Sequence, residues 1–99
     1  MVKHIIIWKI NDTYDKTKKA EVARTVKEKL EGLHGKIDGL CEIRVNIAEL
    51  ETSNGDIMLD STFSDEESYK SYITHPLHVE AATYVRQNVI QRMCVDYNV

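Results

Sequence analysis

The chain has 99 residues, which fits one domain with a modest core, and a formal net charge of −3. This acidic balance offers no basic surface, so we expect neither nucleic acid nor an anionic membrane as a partner. No apolar run approaches the roughly 20 residues that cross a bilayer. Two cysteines, Cys41 and Cys94, are too few for a disulfide framework, and we interpret them as buried free thiols of a cytoplasmic protein.

The first part of the chain predicts a strand and then a helix. Val2 to Ile10 is rich in β-branched residues. Both of its alternating sets contain large apolar side chains, so we expect both faces of the strand to be covered. From about Lys16 to Leu33 the period changes to three and four residues, which indicates an amphipathic helix. Its apolar face contains Val22, Ala23, Val26, Leu30 and Leu33.

A β-hairpin is predicted next. Leu40 to about Leu50 and Asp56 to Phe63 both alternate with period two, and the Asn54-Gly55 pair between them favours a tight turn. The first of these strands is expected to direct one set of side chains to the same face, namely Cys41, Ile43, Val45 and Ile47.

The last third of the chain predicts a broken helical segment and a final strand. A helix opens at Ser64 or Asp65 and runs to about Ile73. Pro76 cannot continue it but suits the first position of a second helix, which is predicted to extend to about Asn88. Gln91 to Tyr97 alternates again and forms the last strand.

This element order is that of an α+β, ferredoxin-like βαββαβ domain with a four-stranded antiparallel sheet in the order 4-1-3-2. In that order Cys41 and Cys94 lie on opposite edges and cannot be bridged. The helices cover one sheet face only, which leaves apolar residues such as Ile5 and Ile7 on the other. We therefore expect a homodimer that packs through this face as a dimeric α/β barrel.

The candidate site is the segment from Tyr72 to Val79, which holds a phenol, His75 and His78 around the only proline. Histidine is the side chain most often used to move protons near neutral pH. His4 shares its face of the first strand with Ile6 and Trp8, and we expect this face to meet the helices. The side chains of His4, Tyr72 and His78 are then predicted to converge in a pocket between sheet and helices, which makes them candidates for a site.

The convergence favours acid–base chemistry without a cofactor. A histidine can take a proton α to a carbonyl while a tyrosine donates to its oxygen. The alternative is that each ring is a core side chain satisfied by neighbouring backbone. No metal is expected, because no cysteine or carboxylate stands at a motif spacing from the histidines. The predicted ligand-binding residues are Ile6, Trp8, Val26, Leu59, Ser61 and His75, although Ser61 and His75 have the alternative of bonding backbone or capping a helix.

Several segments resemble the stress-responsive A/B barrel domain family across essentially the whole chain, residues 1–99 as one domain. They are the opening from Val2 to Ile5, the segment from Asp56 to Asp65, the segment from Tyr72 to Val79, and the closing Asp96-Tyr97. The resemblance implies a dimeric α/β barrel, and most of the family has no assigned activity. A plant branch includes a polyketide cyclase whose acting tyrosine and two histidines match Tyr72, His78 and His4.

Two functions remain open from the sequence. The first is a homodimeric module that binds a small hydrophobic or carbonyl ligand. The alternative is a cofactor-independent enzyme of the polyketide cyclase or isomerase kind, with Tyr72 and His78 as the acid–base pair and His4 assisting.

Overall fold

Strands and helices follow one another along the chain in the predicted order. The computed structural model describes all residues from Met1 to Val99. The four strands form one antiparallel sheet in the order β2-β3-β1-β4, so the ferredoxin-like fold and its sheet order are confirmed. The elements are β1 (Val2–Ile10), α1 (Lys16–Glu31), β2 (Leu40–Ile47), β3 (Ile57–Phe63), α2 (Glu66–Thr74), α3 (Pro76–Asn88) and β4 (Val89–Asn98).

The core lies between the helices and one face of the sheet. Alternate residues of β1, including Ile6, Trp8 and Ile10, are buried on this face together with Leu59 and Phe63 of β3. The predicted apolar face of the first helix is confirmed, because all of its members are buried: Val22, Ala23, Val26, Leu30 and Leu33. None of the helices is long and apolar enough to cross a bilayer.

The prediction of two buried thiols is wrong for Cys41. The pairing of β2 with β3 shifts register between Leu40 and Glu42, and this irregularity changes the alternation. Leu40 and Ile43 are buried, whereas Cys41 is exposed. Cys94 is partly buried on β4, at the opposite edge of the sheet, so the two free thiols lie apart as predicted.

The other sheet face is open and apolar along β1 and β4. Ile7 is 45% exposed, Met93 72%, Val95 57% and Tyr97 47%. The register places Ile7 beside Met93 and Ile5 beside Val95, which makes these side chains one contiguous stripe. Within one protomer the loop at Gly55 lies against Ile7, and most of this face of β1 stays open, so its covering remains a prediction that concerns the dimer.

Candidate functional site

The break between α2 and α3 positions two of the candidate residues. His75 adopts an extended conformation, as the residue before a proline prefers, and Pro76 begins α3. Nδ1 of His75 accepts a hydrogen bond from the Leu77 amide at 3.1 Å, which caps the new helix. Tyr72 in the last turn of α2 and His78 in the first turn of α3 are thereby brought together, with ring centroids 4.1 Å apart.

His4 reaches the same space from the sheet. Its side chain lies on the buried face of β1, and the residue is only 3% exposed. The centroid of its ring lies 6.4 Å from that of Tyr72. The structure therefore brings His4, Tyr72 and His78 together, although 74 positions separate the first from the last in the sequence numbering.

These three side chains line one cavity between the helices and the sheet. Its volume is about 650 Å³, within the usual range for small-molecule sites. Twelve of the seventeen lining residues are hydrophobic, and three predicted ligand-binding residues are among them: Ile6, Trp8 and Leu59. The cavity can thus accommodate a mostly apolar compound.

The other three predicted ligand-binding residues do not line this cavity. Val26 lies on the buried face of α1 and is fully enclosed in the core. Ser61 is also fully buried, and its hydroxyl donates to the backbone carbonyl of His4 at 2.9 Å. His75 caps α3. Each of them supports the position of a cavity residue or packs the core, which is sufficient to explain its presence.

A hydrogen-bond network fixes the ring of His4. The register of β1 and β4 places Asp96 directly opposite His4. Nδ1 of His4 donates to Oδ1 of Asp96 at 2.5 Å, and the hydroxyl of Tyr69 donates to Oδ2 at 2.9 Å. Because the carboxylate can only accept, the proton lies on Nδ1, and Nε2 is left as the basic nitrogen.

His78 is held in the same tautomer by backbone. Its Nδ1 donates to the carbonyl oxygen of Ile73 at 3.1 Å, so Nε2 again keeps its lone pair. Burial lowers the pKa of both histidines below the usual value, although hydrogen bonds to Asp96 and to Ile73 oppose the effect. Both imidazoles are therefore neutral near pH 7 and able to accept a proton.

Tyr72 provides the complementary donor. The residue is 1% exposed, and its buried hydroxyl has no hydrogen-bond partner in the protein. Burial raises the pKa of the phenol, so it is protonated at neutral pH. An unpaired buried hydroxyl is costly, and this one belongs to a residue that lines the cavity and whose ring packs near both imidazoles.

His4, Cys94 and Asp96 also offer three potential metal-ligand atoms within 4.8 Å of one another. Sequence spacing did not reveal this group, because cross-strand pairing assembles it. Two ligands of one tetrahedral zinc ion lie about 3.3 Å apart, since each is about 2.0 Å from the metal. The 2.5 Å separation of the His4 and Asp96 atoms fits a hydrogen-bonded histidine–carboxylate pair better than a metal centre.

Sequence reasoning missed Asp96, Tyr69, Arg86 and Arg92. The first two form the network around His4, and both arginines line the cavity. The sequence did carry a signal for Asp96 and Arg92. When β4 is paired with β1, these alternate residues of β4 lie opposite His4 and Trp8, on the side of the sheet that faces the helices. Tyr69 and Arg86 carried no comparable signal.

The chain is similar to several solved structures. A dimeric protein of unknown function with a ferredoxin-like fold from Bacteroides fragilis is 34% identical, with a TM-score of 0.93 over 99% of this chain and 95% of that chain. A Dabb family protein from Mesorhizobium loti is 15% identical, with a TM-score of 0.75 over 99% and 95% of the two chains. A hydroxynitrile lyase from Passiflora edulis is 12% identical, with a TM-score of 0.75 over 99% and 92%. At such low identity the last two share the fold alone.

No curated protein matches the chain. The family model described as Stress responsive A/B Barrel Domain matches residues 2–99, which is nearly the whole length. This match agrees with the segments quoted above and with the observed fold. The chain therefore belongs to the stress-responsive A/B barrel domain family.

Proposed function

We propose that the protein binds a small, mostly apolar carbonyl compound in the cavity between its helices and its sheet. The observation that carries this proposal is the hydroxyl of Tyr72, a buried donor without an acceptor in the protein. Once a small shift of the ring opens this hydroxyl to the cavity, a carbonyl oxygen of a ligand would satisfy it, while the hydrophobic lining would take up the rest of the molecule. Both features favour a ligand with one polar oxygen on an apolar body.

Trp8 provides the readout for a binding test, because it is the only tryptophan and lines the cavity. Titration with the methyl ketone nonanone should change its fluorescence. The variant Tyr72→Phe should bind the ketone about fivefold more weakly, as expected for the loss of one neutral hydrogen bond. Tyr14→Phe is the matched control, because its hydroxyl donates to Asn88 and does not line the cavity. Equal affinity of Tyr72→Phe and wild type would contradict the proposal.

A second candidate function is proton transfer on the bound carbonyl compound without a cofactor. The observation that favours it is the tautomer of the two imidazoles, each with a basic Nε2 in a neutral ring. In this reaction Tyr72 donates to the carbonyl oxygen while Nε2 of His78 takes a proton from the α carbon. The C–H electron pair forms the enolate, which either takes the proton back from the His78 imidazolium or attacks a second carbonyl, whose alkoxide oxygen then takes that proton. These are the positions that the resemblance to the plant polyketide cyclases implies.

The roles of the two histidines follow from their contacts. His78 packs against Tyr72 at 4.1 Å between ring centroids and is the better candidate base, whereas His4 is held by Asp96 and lies farther from the phenol, at 6.4 Å. General acid–base catalysis of this kind contributes roughly 10²–10⁴-fold. Such a gain is measurable even on a substrate that is not the natural one.

Exchange of α protons for deuterium in nonanone, followed by NMR, tests the chemistry. Wild type should accelerate the exchange over buffer, and His78→Gln should lose most of the acceleration while it still binds the ketone. His34→Gln is the matched control, because His34 is an exposed histidine after α1. Ketone binding without any acceleration by wild type would eliminate the catalytic function and leave the binding function intact.

We further propose that two copies pack through the apolar stripe of β1 and β4. The relatives from Bacteroides fragilis and Thermobifida fusca are described as dimeric. Val95→Arg places a charge in the centre of the stripe and should convert the dimer to monomer in analytical ultracentrifugation. Leu50→Arg, at an apolar loop residue that is even more accessible than Val95, is the control. A monomeric wild type at high concentration would refute this assembly. We place this dimer in the cytoplasm, which suits its two free thiols.

A further inference from the structure

Two arginines line the cavity, whereas the nearby carboxylate of Asp96 is hydrogen-bonded to His4 and Tyr69 and is not a lining residue. The chain has 16 acidic and 13 basic residues, yet no aspartate or glutamate lines the cavity. Arg86 and Arg92 are its only charged lining residues, since both histidines are neutral near pH 7. The wall of the cavity therefore carries two positive side chains and no acidic one, although the protein as a whole is acidic.

Neither arginine is neutralised within the protein. No carboxylate lies within ion-pair distance of either guanidinium group, although five other ion pairs are present. Arg86 makes one long hydrogen bond, 3.4 Å, to the hydroxyl of Thr83. The two guanidinium groups keep most of their donors available for an anion.

Both arginines are exposed residues of the cavity wall, and after burial, which is the main cause, their charges also contribute to the lowered pKa values of the two histidines. Arg92 stands on β4 opposite Trp8, on the helix-facing side of the sheet, and its charge helps to lower the pKa of His4. Arg86 lies in the last turn of α3, and its charge helps to lower the pKa of His78.

We propose that the ligand is an anionic amphiphile, with an apolar body in the cavity and a compact oxyanion of the carboxylate class held by Arg86 and Arg92. This inference rests on the proposed binding function and adds a charge to the ligand. The planar guanidinium fork suits such an anion, because it can donate two parallel hydrogen bonds. The hydrophobic lining excludes small inorganic anions as the preferred ligand, because they would leave the apolar wall unused.

A matched pair of fluorescent probes tests the charge. Anilinonaphthalenesulfonate carries a sulfonate that N-phenylnaphthylamine lacks on the same aromatic skeleton. Wild type should bind the anion about tenfold more tightly than the neutral probe. The double variant with Arg86→Gln and Arg92→Gln should lose this preference and keep its affinity for the neutral probe. Decanoate should likewise displace the neutral probe at lower concentration than its methyl ester does.

Two controls locate the effect. Arg24→Gln removes an exposed arginine of α1 away from the cavity and should leave the preference unchanged. Ala82→Phe fills the cavity and should abolish the binding of both probes. Val79→Phe, at another lining position, replaces it if circular dichroism shows that Ala82→Phe does not fold.

The outcomes separate this inference from the function on which it rests. Equal affinity for the two probes, or a preference that survives the loss of both arginines, would overturn the anionic ligand and leave the cavity as a neutral binding site. If wild type binds neither probe, or if Ala82→Phe and Val79→Phe bind the probes as well as wild type does, the cavity is not the binding site. Either result would overturn the anionic ligand and the proposed binding function together. A preference for the anion that depends on the two arginines would support both.

Discussion

Replacing Tyr72 with phenylalanine should stabilise the protein while it weakens the candidate site. The phenol is 1% exposed, and its hydroxyl has no partner in the protein. The substitution removes one oxygen atom and leaves the ring contacts with Phe63 and His78 in place. When wild type folds, this hydroxyl loses its hydrogen bonds to water and gains none in the protein, whereas the variant has no hydroxyl to desolvate.

The magnitude follows from the cost of an unpaired polar group. Leaving a buried hydroxyl unsatisfied costs about 1–3 kcal/mol. The small space left by the oxygen offsets part of the gain, so we expect the free energy of unfolding to rise by about 1 kcal/mol. For a domain of this length such a change raises Tm by about 4 °C or more.

Two other tyrosines provide controls with the opposite sign. The hydroxyl of Tyr14 donates to Oδ1 of Asn88 at 2.9 Å, and that of Tyr69 donates to the carboxylate of Asp96 at 2.9 Å. Phenylalanine at either position leaves an acceptor without its donor. We expect a loss of about 1 kcal/mol for Tyr14→Phe and a smaller loss for Tyr69→Phe, because water can reach the exposed carboxylate of Asp96 and replace the hydroxyl.

Urea denaturation of all four proteins at one protein concentration measures these differences, because the stability of a dimer depends on concentration. Among the three variants, only Tyr72→Phe should have a higher free energy of unfolding than wild type. If it falls below wild type together with Tyr14→Phe, its hydroxyl has an acceptor in the folded state, and the argument for a vacant ligand position fails.

Three further predictions concern stability. Burial lowers the pKa of His4 and His78 in the folded protein. Below about pH 6.5 the unfolded chain therefore binds more protons than the folded protein does, and the free energy of unfolding should fall from pH 7 to pH 5.5. Replacing both histidines with glutamine should flatten this pH dependence when it is measured by urea denaturation. Gly39→Ala should cost more than Gly35→Ala, because both have positive φ but only the former meets a serine of α2; equal Tm losses would contradict the clash. Leu59→Ala in the core should lower the free energy of unfolding by about 2–5 kcal/mol, measured by urea denaturation. A smaller decrease would mean that neighbouring side chains fill the space left by the leucine.

Local patterns were enough to predict the elements and the meeting of three side chains. Period-two and period-3.6 alternation reports which face of an element is buried, and Pro76 marks the break that positions Tyr72 and His78. Element order then selects the ferredoxin-like sheet, because connections are short and crossovers right-handed. The parity of His4 with Trp8 placed it on the helix-facing side. All of this information is contained in neighbouring residues.

The tertiary structure alone decided the details that give the site its chemistry. Cross-strand register set Asp96 opposite His4, a register irregularity exposed Cys41, and packing buried Val26 away from the cavity wall. Arg86 at the end of α3 and Arg92 on β4 line the same cavity only because the two elements pack next to each other. These outcomes depend on how distant elements align and fill space, and a one-residue shift in register would change each partner without altering the local pattern that predicts the strand.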